Sequence, residues 1–314
     1  MVISQDIQTP RSRSSAVALG FFDGVHMGHR AVISAAVEAA RRKGLVPRVF
    51  TFSPAGSAPA SKGGLTLLQT EEQKEAALAA LGVEEVIRPS FSAFCSLTPE
   101  QFVRGFLRDV LQARMLFCGF NYHFGKGGAA GVEELRDLCA PEGIRVEALS
   151  PVLWQGQVVS STRIRACIRE GEMEAAGTML GTPFTLAAPV VHGKGLARTL
   201  AWPTINQLFP PGFTIPRWGV YHSLVLADGR EWDGVTNVGV KPTLHETNLT
   251  METYILDYEG DLYGQTLPVS LLHFLRPEQQ FASVEALTQR ILADAGIVRQ
   301  HSKARCKTIT KEKT

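Results

Sequence analysis

The chain has 314 residues, 45% of them hydrophobic and 20% charged, with a formal net charge of +2. That length predicts about two domains, and the composition is globular rather than disordered or collagen-like. The near-neutral charge argues against nucleic-acid binding driven by bulk electrostatics, and the five scattered cysteines, lacking any C-x-x-C pair, argue against zinc and a disulfide framework. Reduced thiols fit a cytoplasmic protein. Residues 1–15 have no apolar core and no cleavage-site pattern, so neither a signal peptide nor a membrane span is expected there.

In chain order the first half alternates two patterns. Strands are predicted at 16–19, 47–52, 85–88, 115–119 and 145–149. Helices are predicted at 31–43, 70–81, 98–110 and 132–140. Thr70 caps the second helix; Thr98 caps the third, with Pro99 at its first position. This alternation predicts a parallel sheet with helices on both faces and a ligand at the carboxyl ends of its strands. A strand-like run at 157–159 then leads into a helix that ends near Gly171. After Gly181 the helical periods vanish, and strands are predicted at 190–191, 219–226, 231–238, 252–258 and 267–274. Asp228-Gly229 reads as a hairpin turn, and a helix spans roughly 283–295. Short strands between turn signals predict a small barrel or sandwich. The boundary falls near Thr182-Pro183, giving domains 1–182 and 183–300 and a basic, frayed tail at 301–314.

The decapeptide Gly20-Phe21-Phe22-Asp23-Gly24-Val25-His26-Met27-Gly28-His29 lies where the first strand empties into a helix. Open N–H groups and the positive dipole end favour phosphate there. His26 and His29, three residues apart, would face one way and add two donors, and Gly28 would let a base or phosphate approach the backbone. A surface turn with two solvated histidines is the plain alternative. Ser160-Ser161-Thr162-Arg163-Ile164-Arg165 opens another helix. Capping explains the hydroxyls, but two arginines in a first turn oppose the dipole unless an anion binds.

These two runs resemble signatures of the prokaryotic bifunctional FAD synthetases, which combine riboflavin kinase with FMN adenylyltransferase activity. So do Thr66-Leu67-Leu68, Glu72 and Lys74, the run from Gly119 to Gly125, and the Leu180-Gly181-x-Pro183-Phe184 junction. The second half is similar to the family's kinase domain at 198–206, 219–221, 237–243 and 252–264, so the resemblance covers about residues 16–296. It implies a Rossmann-like nucleotidyltransferase domain followed by a small antiparallel β-barrel with a C-terminal helix. It implies ATP as co-substrate, riboflavin and FMN as substrates, FAD as product, and Mg²⁺. Neither a membrane nor nucleic acid is implied as a partner, and the oligomeric state stays open. By family position His26, His29 and Arg163 serve adenylylation and Glu252 is the base for the riboflavin 5′-hydroxyl. Gly20, Phe22, Asp23, Gly24, Gly28, Asn121, Ser161, Thr162, Arg165 and Lys194 bind nucleotide, and Thr204 and Asn206 bind Mg²⁺. Read without the resemblance, Glu252 is an exposed strand carboxylate, Thr204 and Asn206 lie in a turn after Pro203, and Lys194 is a solvated turn lysine.

Ala55 replaces a histidine near the adenylylation site, His123 stands where arginine is usual, Val132 where aspartate is common, and Ala197 and Ala201 replace glycines. Both activities are expected, with adenylylation slower or differently tuned. A kinase with a weakened or inactive first domain and a non-catalytic flavin or nucleotide sensor are the competing readings. A class I aminoacyl-tRNA synthetase shares the histidine-bearing helix start, but no second lysine-rich loop follows here.

Overall fold

A computed structural model of the chain describes residues 1–52, 66–191, 204–242 and 247–312. They form two compact units, 1–67 with 71–161, and 68–70 with 162–314.

The first unit is built on a parallel sheet of six strands: β1 (Val2–Ser4), β2 (Ser15–Leu19), β3 (Val46–Phe50), β4 (Glu85–Ile87), β5 (Ala113–Gly119) and β6 (Arg145–Leu149). Their spatial order is β1-β4-β3-β2-β5-β6. The chain runs outward from β2 through β3 and β4, then restarts on the other side with β5 and β6. The order therefore reverses between β2 and β5, and the crevice at their carboxyl ends is the place such sheets offer to ligands. The decapeptide follows β2 and Gly119-Phe120-Asn121 follows β5.

Period-two alternation along β2 feeds two cores. Val17 and Leu19 pack with Phe102, Phe106, Leu107 and Leu135 on one face. Ala16 and Ala18 pack with Ile33, Ala36 and Val37 of α1 (Met27–Lys43) and Leu78 of α2 (Glu71–Ala80) on the other. β1 adds an edge strand that the sequence reading lacks. Arg11 secures that edge, with its Nε donating to Glu85 Oε1 at 2.7 Å and an Nη to Ser4 Oγ at 3.1 Å. Residues Gln101–Arg108 wind as a π-helix rather than the predicted α-helix. The predicted Thr98 cap is present and reciprocal: Gln101 N–H donates to Thr98 Oγ1 at 3.2 Å, and Thr98 N–H to Gln101 Oε1 at 2.9 Å. The unit also contains α3 (Val132–Cys139) and a small hairpin of β7 (Leu153–Trp154) and β8 (Gln157–Val158).

In the second unit, α4 (Ser161–Glu170) and α5 (Met173–Leu180) group with six antiparallel strands. The sequence reading places both helices before the boundary. The strands are β9 (Phe184–Pro189), β10 (Thr204–Leu208), β11 (Gly219–Ala227), β12 (Arg230–Pro242), β13 (Thr247–Ile255) and β14 (Thr266–Arg276), in the order β10-β13-β12-β11-β14-β9. A bridge between Val191 and Asn206, with Val191 N–H donating to the Asn206 carbonyl at 2.8 Å, closes the ends into a barrel. Asp228 (φ 51°) and Gly229 (φ 75°) form the predicted hairpin turn, both left-handed as its type requires. Buried hydroxyls lock the middle strands: Ser223 Oγ to Thr236 Oγ1 at 2.6 Å, and Thr236 Oγ1 to Thr253 Oγ1 at 2.8 Å.

Two expectations are corrected here. Thr204 and Asn206 lie on a strand, not in a turn. Fully buried Gln207 hides that strand from the hydropathy pattern; its amide satisfies the carbonyls of Ala188 (2.7 Å) and Leu267 (2.8 Å). Where the sequence predicts a frayed tail, the backbone through residue 312 is helical, as part of α6 (Val284–Glu312). Val298 is fully buried, Arg299 pairs with Asp257 at 2.7 Å, and Arg305 pairs with Glu231 at 3.4 Å. A basic helix end also suits the dipole. Among the described residues no helix is long and apolar enough to cross a membrane.

Candidate active sites

The turn after β2 is strained. Phe22 (φ 55°) and Val25 (φ 36°) join Gly24 (φ 86°) in the left-handed region, which β-branched valine rarely enters. Burial holds it there, since Phe22 is 2% and Val25 0% exposed. Lys74 adds a polar clamp. Only 4% exposed, it donates from Nζ to the Phe21 carbonyl at 2.8 Å and to Thr51 Oγ1 at 2.9 Å. Thr51 Oγ1 donates in turn to the same carbonyl at 2.9 Å. Ser161 Oγ donates to the Asp23 carbonyl at 2.9 Å, securing the far side of the turn.

This turn delivers His26 to the N-cap of α1. His26 Nδ1 accepts the His29 N–H at 3.4 Å, so the ring carries its proton on Nε2. The two imidazoles stack with centroids 3.6 Å apart, and the Phe22 ring meets His29 edge-on at 5.3 Å. The expectation of two added donors from a common direction is thus refined: one nitrogen of His26 caps the helix and the other stays a donor. The first turn of α1 has no acidic residue, while Arg41, Arg42 and Lys43 occupy the last. The positive dipole end therefore has no acidic side chain of its own first turn beside it.

The Phe22 side chain is buried in the core and meets His29 edge-on. Gly28 makes room for the His26 ring, whose Cε1 would lie 3.3 Å from an added Cβ. Gly20 serves likewise, because a Cβ there would meet the Phe22 ring at 2.8 Å. Asp23 is buried, Asn121 is exposed beyond β5, and His123 Nδ1 lies 2.9 Å from the Asn121 carbonyl. In α4, Thr162 is exposed, Arg163 half-buried and Arg165 only 5% exposed. Lys194 and Ala55, like Ala197 and Ala201, lie outside the described residues.

The barrel assembles the second constellation by register. Glu252 on β13 stands opposite Asn206 of β10 on one side and Asn237 of β12 on the other. Directly paired residues share a sheet face, and Thr204, two residues from Asn206, shares it too. Thr204 Oγ1 donates to Glu252 Oε1 at 3.1 Å. The neighbouring Met251 and Thr253 are buried, whereas Glu252 is half-buried. A hollow beside Thr204 is lined by Val190, Ile255, Tyr258, Leu262 and Tyr263. Sequence reasoning missed Glu278, which accepts from Asn237 Nδ2 at 3.1 Å and crowds the space above Gly239. It lies outside every recognisable run. Lys74 was within one, and its polar clamp gave no local sign.

Comparison with known proteins matches this division. A family model described as FAD synthetase matches residues 8–163, and one described as riboflavin kinase matches residues 180–302. A bifunctional riboflavin kinase/FMN adenylyltransferase from Listeria monocytogenes is 34% identical over 285 residues, 90% of either chain. One of the same name from Pseudomonas fluorescens is 34% identical over 292 residues, 92% of this chain and 94% of that one. A solved Streptococcus pneumoniae structure, described as a macrolide-efflux protein, superposes with a TM-score of 0.84 at 30% identity, covering 95% of this chain and 98% of that one. With a helix-capping histidine pair on a parallel sheet and a Thr–Asn–Glu rung on an antiparallel barrel, the chain belongs to the bifunctional riboflavin kinase/FMN adenylyltransferases.

Proposed function

We propose that the Glu252 rung is the riboflavin kinase centre and that the start of α1 serves FMN adenylylation. The observation that carries the kinase assignment is the Thr204–Glu252 hydrogen bond, with Asn206 in register beside it. Transfer to riboflavin requires its 5′-hydroxyl to lose a proton as the bond to the γ-phosphorus of ATP forms, and ADP leaves. Glu252 takes that proton. Thr204 spends its hydrogen on Glu252, so its oxygen lone pairs remain for a cation. Hydroxyl, amide and carboxylate oxygens on one face suit Mg²⁺, which would offset phosphate charge there.

In the first unit the FMN phosphate attacks the α-phosphorus of ATP and pyrophosphate leaves. The nucleophile is already an anion, so positioning and charge neutralisation suffice. His26 Nε2–H, His29 and the α1 N-terminus supply donors; the resemblance alone assigns Arg163 and Arg165 to the departing pyrophosphate, a role guanidinium suits. The free thiols of Cys95, Cys118, Cys139 and Cys167 support a cytoplasmic location.

Riboflavin, ATP and Mg²⁺ should yield FMN and then FAD on chromatography. FMN without FAD, even when FMN is supplied, would remove the adenylylation assignment. Arg163→Ala is expected to slow FAD formation from supplied FMN about 100-fold, with FMN formation unchanged. Lys74→Met should slow FAD formation about tenfold by loosening the turn, again sparing the kinase. Equal loss of both activities in Lys74→Met would point to general unfolding and exclude a positioning role.

A further inference from the structure

Three of the eight histidines meet at a place neither reaction uses. His222 on β11 stands in register with His273 on β14, and His301 reaches them from α6. Ring centroids are 5.6 Å apart for His222–His273, 5.6 Å for His222–His301 and 4.9 Å for His273–His301. One ring nitrogen from each lies within 4.8 Å of the other two.

The outer contacts orient the rings. His222 Nε2 lies 2.8 Å from Asp233 Oδ1, and His273 Nδ1 lies 2.5 Å from Glu174 Oε1. A neutral imidazole that donates from one nitrogen presents a lone pair on the other. Asp233 thereby leaves His222 Nδ1 as an acceptor, and Glu174 leaves His273 Nε2. His222 is 1% exposed, and its Nδ1 is buried with no hydrogen-bond partner among the described residues. The Nδ1 of His301 is in the same condition. A lone pair shut away from water, as at His222 Nδ1, calls for an electron acceptor, and a carboxylate behind the ring is the usual outer support of a histidine that ligates metal.

We propose that His222, His273 and His301 form a three-imidazole site for a divalent transition ion of the zinc class. It takes borderline-soft ions rather than Mg²⁺, which prefers oxygen. Tetrahedral binding at about 2.0–2.1 Å draws the three nitrogens inward and leaves a fourth position for water. Half-exposed His273 and His301 have the freedom to close that gap. The absence of paired cysteines speaks against thiolate zinc sites only, so it leaves this one untouched. The ion would fasten α6 to the barrel one turn beyond Val298, which already packs against Val220 and Leu256.

The test uses the full chain after chelator treatment. Zinc is titrated by calorimetry near pH 7.5, Co²⁺ is followed by its tetrahedral visible bands, and thermal unfolding is recorded with and without zinc. One zinc per chain is expected, with a Kd in the micromolar range or tighter and a midpoint rise of roughly 5 °C at saturation. His273→Gln and His301→Gln should each weaken binding at least about 100-fold and abolish the Co²⁺ bands, with unchanged melting in the absence of metal. Asp233→Asn should weaken binding about 10- to 100-fold through His222 alone. No binding below about 100 µM, wild-type affinity in both glutamine variants, or displacement by Mg²⁺ in the low millimolar range would overturn the site.

Discussion

Glu252→Gln is expected to cut FMN formation about 1,000-fold while FAD formation from supplied FMN stays at the wild-type rate. The substitution keeps the shape of the rung. Glutamine retains a carbonyl oxygen that still accepts the Thr204 hydroxyl, now 3.1 Å from Oε1, and Asn206 and Asn237 still flank it. What disappears is the proton acceptor, and general base catalysis contributes about 10²- to 10⁴-fold. Thr204→Val is the informative partner. It keeps the base but removes its orienting donor and one oxygen offered to Mg²⁺. Its defect should be smaller, and raised Mg²⁺ should partly relieve it, whereas Glu252→Gln should not respond. Chromatography of flavins in single-substrate assays separates these outcomes. A Glu252→Gln enzyme that keeps more than about a tenth of its kinase rate has its base elsewhere, and Glu278, reached through Asn237, would be the next residue to test.

The parts of this molecule legible in its sequence are those that short-range chemistry writes down. Glycines, histidines and a following helical period mark the turn after β2, and Asp228-Gly229 marks its hairpin because few other pairs tolerate two left-handed residues. What resisted reading depends on partners distant in the chain. Phe22 and Gly28 are legible as members of a binding motif, but only the fold adds that Phe22 also belongs to the core against His29 and that Gly28 clears space for the His26 ring. Read without the resemblance, Thr204 and Asn206 looked like turn residues because they follow Pro203; the strand they form is held by Gln207, whose carbonyl partners on β9 and β14 are 19 and 60 residues away. The helix through 301–312 looked like a solvated tail because its anchors, Glu231 and Asp257, are on the barrel. The cluster of His222, His273 and His301 was invisible for the same reason, since strand register and one helix face create it.

The largest stability effect should come from the ion pair that joins β14 to α6. Asp294 is 0% exposed, and Arg276, 9% exposed, donates to its Oδ2 from Nε at 3.0 Å and from an Nη at 2.8 Å. Arg276→Met fills similar volume but strands a buried carboxylate, at a cost of about 3–5 kcal/mol. The lower end applies, because Arg290, 3.1 Å from Oδ1 and 36% exposed, remains as a second partner. Of the tryptophans among the described residues, Trp218 and Trp232 belong to this unit and Trp154 to the other, so fluorescence during urea unfolding reports chiefly on this unit. Lost charge pairing and lost packing predict opposite results for the double variant Arg276→Met/Asp294→Leu. If a stranded charge causes the damage, removing the carboxylate restores most of the lost stability, since apolar residues often replace buried pairs without penalty. If Arg276 acts mainly by packing and by its bond to the Pro277 carbonyl at 3.1 Å, the second substitution adds to the first and the double variant is the least stable of the three. The exposed Arg290 and the full burial of Asp294 favour recovery, because only the carboxylate lacks access to water once Arg276 is gone.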